Sequence, residues 1–578
     1  MKPILSILNL YRYYLRFDGY AIEQPISATL EEIANRLCSS PRYARVLLQQ
    51  MQQQGWLSWQ PKVGRNKRST LCLLQDPERL KEHLASDCLL RGQYDKALDL
   101  LEQDEQVFAR LLQQTSGASM HEGRLHIQLT YRRPFQTLLP HHPQRNSERF
   151  LVRQTYACLV RCDADGQVHP ELAHHWHYDA ENYQWRFYLR PELTFHDGQM
   201  IDAQSIVELF SGLKSLANYQ HELAHLKRIS APHPREILFE FTVPDQSFAG
   251  LISGVSYSIQ PVKQLQQSNS NVIGSGAFKV YTHTDKQLVL HAFNRYYGCR
   301  SLCDQITIWL FDQDVTTATD AIPHAGRSCQ YYVSAESPKI ENEQINQFSR
   351  QEEGAIFLLN NHHADLPLDD QQRQWLLSLL EPNWLLSDIA HSNLTPADHL
   401  LPCWTKLSRF PATQRPLPTS MTMAVYNYVT LIECAEAIAK RLADHGIQVI
   451  IHSYDYQTLQ QKAAQGTLNE TLILSSINLD DNRHTSAYQF LYSNPLLHHA
   501  LDDVASKWLR QSLADIRANV CIEQYLVVLE PLVATLIHHG VLQPLYHEQQ
   551  VLRFHDLIHN VALTTWGWPE LKQVWTSS

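Results

Sequence analysis

The chain has no long apolar run. Nowhere in its 578 residues do uncharged apolar positions approach the ~18 in succession that a membrane-spanning helix needs. Ile4 to Leu8 is apolar, but Asn9, Tyr11, Arg12 and Arg16 interrupt the run. It is too short for a secretory signal, and no small-residue cleavage site follows. The 11 cysteines are scattered and form no CxxC pair, so the usual zinc and redox spacings are absent. They are expected as thiols in a reducing compartment, which makes the expected location cytoplasmic. G-x-x-x-x-G-K-[ST] and G-x-S-x-G are both missing, which excludes a P-loop and a nucleophile elbow. There is no internal repeat and no low-complexity tract. What is left is ordinary globular material, 44% apolar and 19% charged. Its length suggests about two to four domains, and no enzymatic activity is expected.

Charge is present but unevenly spread. Residues 1–75 hold ten Lys/Arg and four Asp/Glu, although the whole chain holds 49 and 59. A basic head on an acidic body is the electrostatic footprint of a DNA-binding module joined to a domain that does not touch DNA.

The head carries a helix-turn-helix pattern. Thr29-Leu30-Glu31-Glu32 has the form of a capping box, and Leu30, Ile33, Ala34 and Leu37 recur at helical spacing. Cys38-Ser39 reads as a turn. Ser40 then serves as N-cap and Pro41 as first residue of a second helix, with Ala44, Leu47, Leu48 and Met51 inward. Its other face presents Arg42, Tyr43, Arg45, Val46, Gln49 and Gln53. In this motif the second helix enters the major groove, where Arg pairs with guanine O6 and N7. Gly55 ends the helix. Trp56–Trp59 and Thr70–Leu73 read as two strands joined by the basic turn Pro61–Ser69. The pattern is a winged helix-turn-helix. Ser40, Arg42, Tyr43, Arg45 and Gln49 are its candidate DNA contacts on the helix. Lys62, Arg65, Asn66, Lys67 and Arg68 are those on the wing, where phosphate contacts set register.

Residues 76–118 read as helical, with Gly117-Ala118-Ser119 as a boundary. The expected domains are therefore 1–75, a helical linker 76–120, and a body 121–578. In the body, strands are expected at Arg124–Leu129, Trp185–Arg190 and Ile237–Phe241. A helix capped by Asp202 should bury Ile206, Leu209, Phe210 and Leu213.

The body resembles the peptide- and nickel-type ABC solute-binding proteins. Pro170–Ala173, Tyr183–Arg190, Phe195-His196-Asp197-Gly198 and Asp202-Ala203 carry the resemblance, followed in order by Ile273–Phe278, Asn294–Gly298, Asp304-Gln305-Ile306 and Arg373-Gln374-Trp375. The resemblance implies a two-lobed, mixed α/β, class II periplasmic-binding-protein-like fold that closes on a ligand. Its crossovers are expected through Ile356–Asn360 and Leu542–Tyr546. With the wing Val63–Ser69, the helix Ser40–Gln49 and the ending Trp566-Gly567-Trp568-Pro569-Glu570-Leu571-Lys572, the chain is similar to SgrR-type regulators. In their closing segment, Pro-Glu-Leu here replaces Phe-Asp-Phe. That resemblance implies an activator of a small regulatory RNA gene in the sugar-phosphate stress response. The implied partners are promoter DNA, a small-molecule ligand of phosphosugar type and RNA polymerase, with no membrane. The competing class is a transport receptor for peptides, nickel or sugars, which has no use for a basic wing.

Tyr131, Arg132 and Arg133 follow the first body strand, where the family's chain enters its cleft. A guanidinium there suits an anionic ligand. Asn360 and Trp404 are further cleft candidates by position. His221-Glu222-Leu223-Ala224-His225 matches the H-E-x-x-H zinc motif, but the H-x-x-G-x-x-H extension is absent. Five adjacent His-His pairs occur, yet neighbouring side chains diverge and rarely chelate one ion. Neither a metal nor a cofactor is expected.

Overall fold

Apolar residues at helical spacing, closed off by side-chain caps, build the first of two units. A computed structural model describes residues 4–62, 67–90, 93–102, 104, 107–108, 110–112, 117–121, 123–131, 133–266, 272–310, 345–389, 394–407, 412–555, 559–560 and 562–575. The first unit ends at Thr115 and the second begins at Ser116. Among the described residues no helix is long and apolar enough to cross a membrane.

The first unit contains helices α1 (Ile4–Tyr14), α2 (Leu30–Arg36), α3 (Pro41–Gln53), α4 (Pro77–Leu90) and α5 (Tyr94–Leu100). Strands β1 (Pro25–Ala28), β2 (Leu57–Gln60) and β3 (Ser69–Leu73) form an antiparallel sheet in the order β1-β3-β2. Thr29 and Glu32 close a reciprocal capping box on α2. The Ser40 hydroxyl accepts the Tyr43 amide to cap α3. Helix α1 is a finding beyond the sequence reading, which broke this segment at its polar residues. Its Leu10, Tyr11 and Tyr14 are buried against Leu47, Leu48 and Trp56, so tertiary burial overrides the interrupted pattern. The Tyr14 hydroxyl donates to the carbonyls of Trp56 at 3.1 Å and Gln75 at 2.6 Å. Leu80 and Leu84 of α4, within the expected helical linker, join the same core.

The second unit has three hydrophobic cores. The first lies under a five-stranded sheet, order β12-β13-β14-β5-β4. Its strands are β4 (Gly117–His121), β5 (Arg124–Tyr131), β12 (Phe278–His283), β13 (Gln287–Ala292) and β14 (Cys303–Leu310). Gly117–Ser119, read from sequence as a boundary, lies at the start of the second unit, in a strand paired with β5. The second core packs helix α7 (Ala203–Ser215) on the sheet β10-β11-β9-β8. After a short antiparallel pair, β6 (Val160–Cys162) and β7 (Val168–Pro170), that sheet comprises β8 (Ala173–Asp179), β9 (Gln184–Leu189), β10 (Leu226–His233) and β11 (Glu236–Phe241). These two cores form one lobe.

The third core fills the other lobe. Its sheet runs β15-β21-β16-β20-β18-β19. The strands are β15 (Ile345–Gln351), β16 (Gly354–Asn360), β18 (Ser420–Tyr426), β19 (Gln448–Tyr454), β20 (Leu472–Asn478) and the 14-residue β21 (Leu542–His555), with the short β17 (Leu394–Pro396) also paired to β21. Ile356–Leu359, Leu542, Leu545 and Tyr546 lie inside this core. The crossovers therefore sit beyond those residues, at Glu352-Glu353 and Glu548. Sequence reading found the strands but placed the crossings too far inside the lobe, because a buried strand and a buried crossover look alike in an apolar run.

The Ile273–Phe278 segment has a positional task. A Cβ on Gly274 would stand 1.9 Å from the Thr155 carbonyl oxygen, and one on Gly276 would stand 2.6 Å from the Thr155 carbonyl carbon. Only glycine permits this approach. It presses the segment onto the end of helix α6 (Asn146–Thr155), while His196 of the Phe195–Gly198 turn donates its amide to Gly274. Ser275 between the glycines accepts the Ala157 amide and donates to the Ile259 carbonyl, so it is a structural hydroxyl.

Candidate DNA-reading helix and ligand cleft

Helix α3 buries Ala44, Leu47, Leu48 and Met51, which turns Arg42, Tyr43, Arg45, Val46 and Gln49 to the surface. Ser40, the cap, is also exposed. Tyr43 is 49% exposed and Val46 42% exposed, so a polar face carries two apolar groups suited to thymine methyls. The Tyr13 ring of α1 supports Tyr43 edge-on at 6.1 Å. On the wing, Lys62 and Lys67 are exposed, while Arg65 and Asn66 lie outside the described residues. Arg68 folds back: its guanidinium donates to the Ser27 carbonyl at 2.9 Å and pairs with Glu32 at 3.2 Å. It thereby braces the wing against the start of α2.

The second unit holds a cavity of about 280 Å³ between its lobes. One wall is the N-terminal turn of α6 with Tyr131 and Arg133. The other wall holds Tyr426, Tyr428, Tyr456, Asn478 and Asp480, and Glu352 and Glu548 line it at the crossovers. Helix α6 points Arg145, Arg149 and Arg153 at the second lobe, four residues apart and so along one face. Arg149 pairs with Asp480 at 2.6 Å and also donates to the Asn478 carbonyl. Arg153 pairs with Asp481 at 3.0 Å. Arg145 reaches the Asn427 carbonyl at 3.3 Å and lies over the Tyr426 and Tyr456 rings, but forms no ion pair with a described carboxylate. It stands at the N-cap of α6 without a side-chain cap. The helix dipole and a guanidinium thus converge on one end of the cavity.

The other candidates separate. Tyr131 donates its hydroxyl to Ser147 at 2.8 Å and stacks on Phe135 at 4.6 Å. Arg133 grips the buried Glu148 through both terminal nitrogens. Burial alone would raise the Glu148 carboxyl, but Arg133 outweighs it and holds it below the usual range. Arg133 thus lines the cavity with its charge already paired within the chain. Arg132 lies outside the described residues. Asn360 and Trp404 do not line the cavity. Asn360 is 3% exposed and donates to the Gly540 carbonyl, and Trp404 donates its indole N–H to the Leu526 carbonyl. Both are core residues, because the crossovers lie elsewhere.

The acidic side of the cavity was not visible in the sequence. Glu352 follows β15, and its amide donates to the Glu548 carbonyl at 2.9 Å, so both side chains spring from one paired rung. The Gln550 amide donates to Glu352 at 2.5 Å, and the Tyr428 hydroxyl donates to Glu548 at 3.0 Å. Burial, then the proximity of Glu548, pushes the Glu352 carboxyl up, and burial raises Glu548.

The H-E-x-x-H segment lies largely in turns after a four-residue helix. Glu222 accepts the Tyr257 hydroxyl at 2.5 Å, and His225 points to Asp245, which also holds Arg517. Among the described residues no cluster suits a metal ion.

Comparisons with known proteins agree with both halves. The family described as "Sugar transport-related sRNA regulator N-term" matches residues 9–123. "Bacterial extracellular solute-binding proteins, family 5 Middle" matches residues 167–402. The HTH-type transcriptional regulator SgrR of Yersinia enterocolitica is 30% identical, over 98% of this chain and 97% of that protein. The oligopeptide-binding protein AppA of Bacillus subtilis, solved with a nonapeptide, is 14% identical with a TM-score of 0.61. That match covers 79% of this chain and 100% of AppA. The ABC transporter-associated periplasmic binding protein DppA of Helicobacter pylori, solved with the peptide STSA, gives a TM-score of 0.62 at 14% identity, covering 79% of this chain and 99% of its own. These likenesses establish the binding-protein fold of the second unit. By its near full-length match, the chain belongs to the SgrR family of HTH-type transcriptional regulators.

Proposed function

We propose that this protein is a cytoplasmic, DNA-binding transcription activator whose body senses an anionic small molecule of the hexose-phosphate class. Promoter DNA is its first partner, read by α3, and RNA polymerase is the partner through which it activates. The observation that carries the ligand class is Arg145. Three arginines line one face of α6, two have carboxylate partners across the cleft, and the third faces a cavity at a helix N-terminus. A ligand oxyanion completes that ladder. It thereby adds a bond between the lobes, which is how a small molecule favours one lobe arrangement over another. The transport-receptor reading leaves the exposed Arg42 and Arg45 without a task.

Calorimetry of the full-length protein with glucose 6-phosphate tests this reading. Binding that weakens at least about tenfold in Arg145→Ala is expected, the loss of a charge-assisted pair. No binding at millimolar ligand overturns it.

A further inference from the structure

We infer that the ligand's other end is cationic: the cleft takes an aminated sugar phosphate, with its oxyanion at Arg145 and its ammonium group at Glu352 and Glu548. The anionic half rests on the reading above, and the cationic half rests on separate residues.

Glu352 and Glu548 line the cavity from two adjacent crossover strands joined by the 2.9 Å backbone bond. Among the described residues their hydrogen-bond donors are neutral, the Gln550 amide and the Tyr428 hydroxyl. Among the described residues neither carboxylate has an ion-pair partner. The surrounding elements explain why. From α6, Arg149 acts on Glu352 through space but is committed to Asp480, and Arg145 stands at the helix start. From the second lobe come the hydroxyls of Tyr426, Tyr428 and Tyr456. On the first crossover, Glu353 already contacts Arg350 and Arg483. Two carboxyls side by side on the cavity wall, Glu548 buried and Glu352 half-buried, are costly when both are charged and neither has an ion-pair partner among the described residues, so both are driven to hold protons. A sugar hydroxyl offers them only a neutral hydrogen bond. An ammonium group offers a charge-assisted one, roughly twice as strong, and displaces the protons.

Displacement fixes the sign of a linkage. An ammonium ligand binds the deprotonated pair, so its affinity rises with pH through neutrality and protons are released on binding. A purely anionic ligand prefers the protonated pair and shows the opposite trend.

The test is calorimetry of the full-length protein with glucose 6-phosphate, 2-amino-2-deoxyglucose 6-phosphate and alanyl-alanine. Each is measured in two buffers of different ionisation heat, and the probes' own titrations are subtracted. We expect the amino probe to bind at least about tenfold tighter than its hydroxyl counterpart, with proton release. Glu352→Gln and Glu548→Gln are near-isosteric and relieve a repulsive pair, so thermal unfolding should show folded protein. They should abolish the advantage of the amino probe over glucose 6-phosphate and the proton release that accompanies it. Equal binding of the two sugar phosphates overturns the ammonium site and leaves the anionic reading standing. Loss of glucose 6-phosphate binding with retained amino preference in the Gln variants also overturns it. Tightest binding by alanyl-alanine overturns the sugar-phosphate class, and binding of none overturns both.

Discussion

The reading helix and the ligand cleft solve opposite problems. Helix α3 keeps all of its candidate contacts within ten residues, Ser40 to Gln49, on one exposed face. The cleft gathers its wall from Tyr131 to Glu548, across five or more separate elements. A groove in DNA is a repeating surface that a single rod can follow. A small molecule must be enclosed from several sides, so its pocket is assembled by the tertiary fold. The difference teaches that one region should respond to local substitutions, while the other should respond to anything that shifts the lobes.

Four measurements can break or sharpen that contrast. The largest effect is expected from Trp568→Ala. This fully buried ring stacks on Phe150 of α6 at 5.1 Å and an interplanar angle of 9°. Its loss should destabilise the body by about 3–5 kcal/mol in urea unfolding. An unchanged transition would mean the closing segment does not support α6.

Next come Arg42→Ala and Arg45→Ala. Each should cost about 1–3 kcal/mol of specific promoter binding, measured by footprinting, while body stability stays constant. An unaltered footprint would move the reading surface elsewhere.

A smaller effect is expected from pH. Glu352 and Glu548 hold protons more tightly when folded than the ordinary glutamate value of about 4.3 allows. Their contribution to stability is therefore complete below that value and is lost as pH rises through the raised folded values. The thermal midpoint of the ligand-free body should fall across that window, and a Glu352→Gln, Glu548→Gln double variant should flatten the fall. A profile identical in both proteins would show that the pair is not strained.

Smallest is Arg68→Ala. Its pair with Glu32 is 57% and 50% exposed, so the stability change should stay under about 1 kcal/mol. If the wing contacts phosphate there, the salt dependence of DNA binding should drop by about one charge.

Legibility from sequence follows the same contrast. The capping box at Thr29 and Glu32 and the Ser40-Pro41 helix start were readable because the capping residues are neighbours in the chain. Helix α1 was not, since Tyr11 and Tyr14 look amphipathic until the core that buries them is known. The cleft was barely legible. Arg145, Arg149 and Arg153 did carry a signal, a run of arginines at four-residue spacing on a helix whose Phe150 and Leu151 face inward. Glu352, Glu548 and Asp480 carried none, because nothing local distinguishes a glutamate on a crossover from one on a surface. Asn360 and Trp404 were misplaced for the same reason: position along the chain stands in poorly for position around a cavity.

The closing segment has a consequence for how the protein is born. Trp566, Trp568, Leu571 and Val574 pack into the core shared with Leu125, Ile127 and Phe150. The first lobe's sheet is otherwise complete at Leu310. A ribosome adding about 5–20 residues per second reaches Trp566 roughly ten seconds to a minute later. Through that interval the DNA-reading unit is already whole and the sensing body is not. A chain cut short before Trp566 should therefore keep the core of its first unit and lack a packed edge of its second.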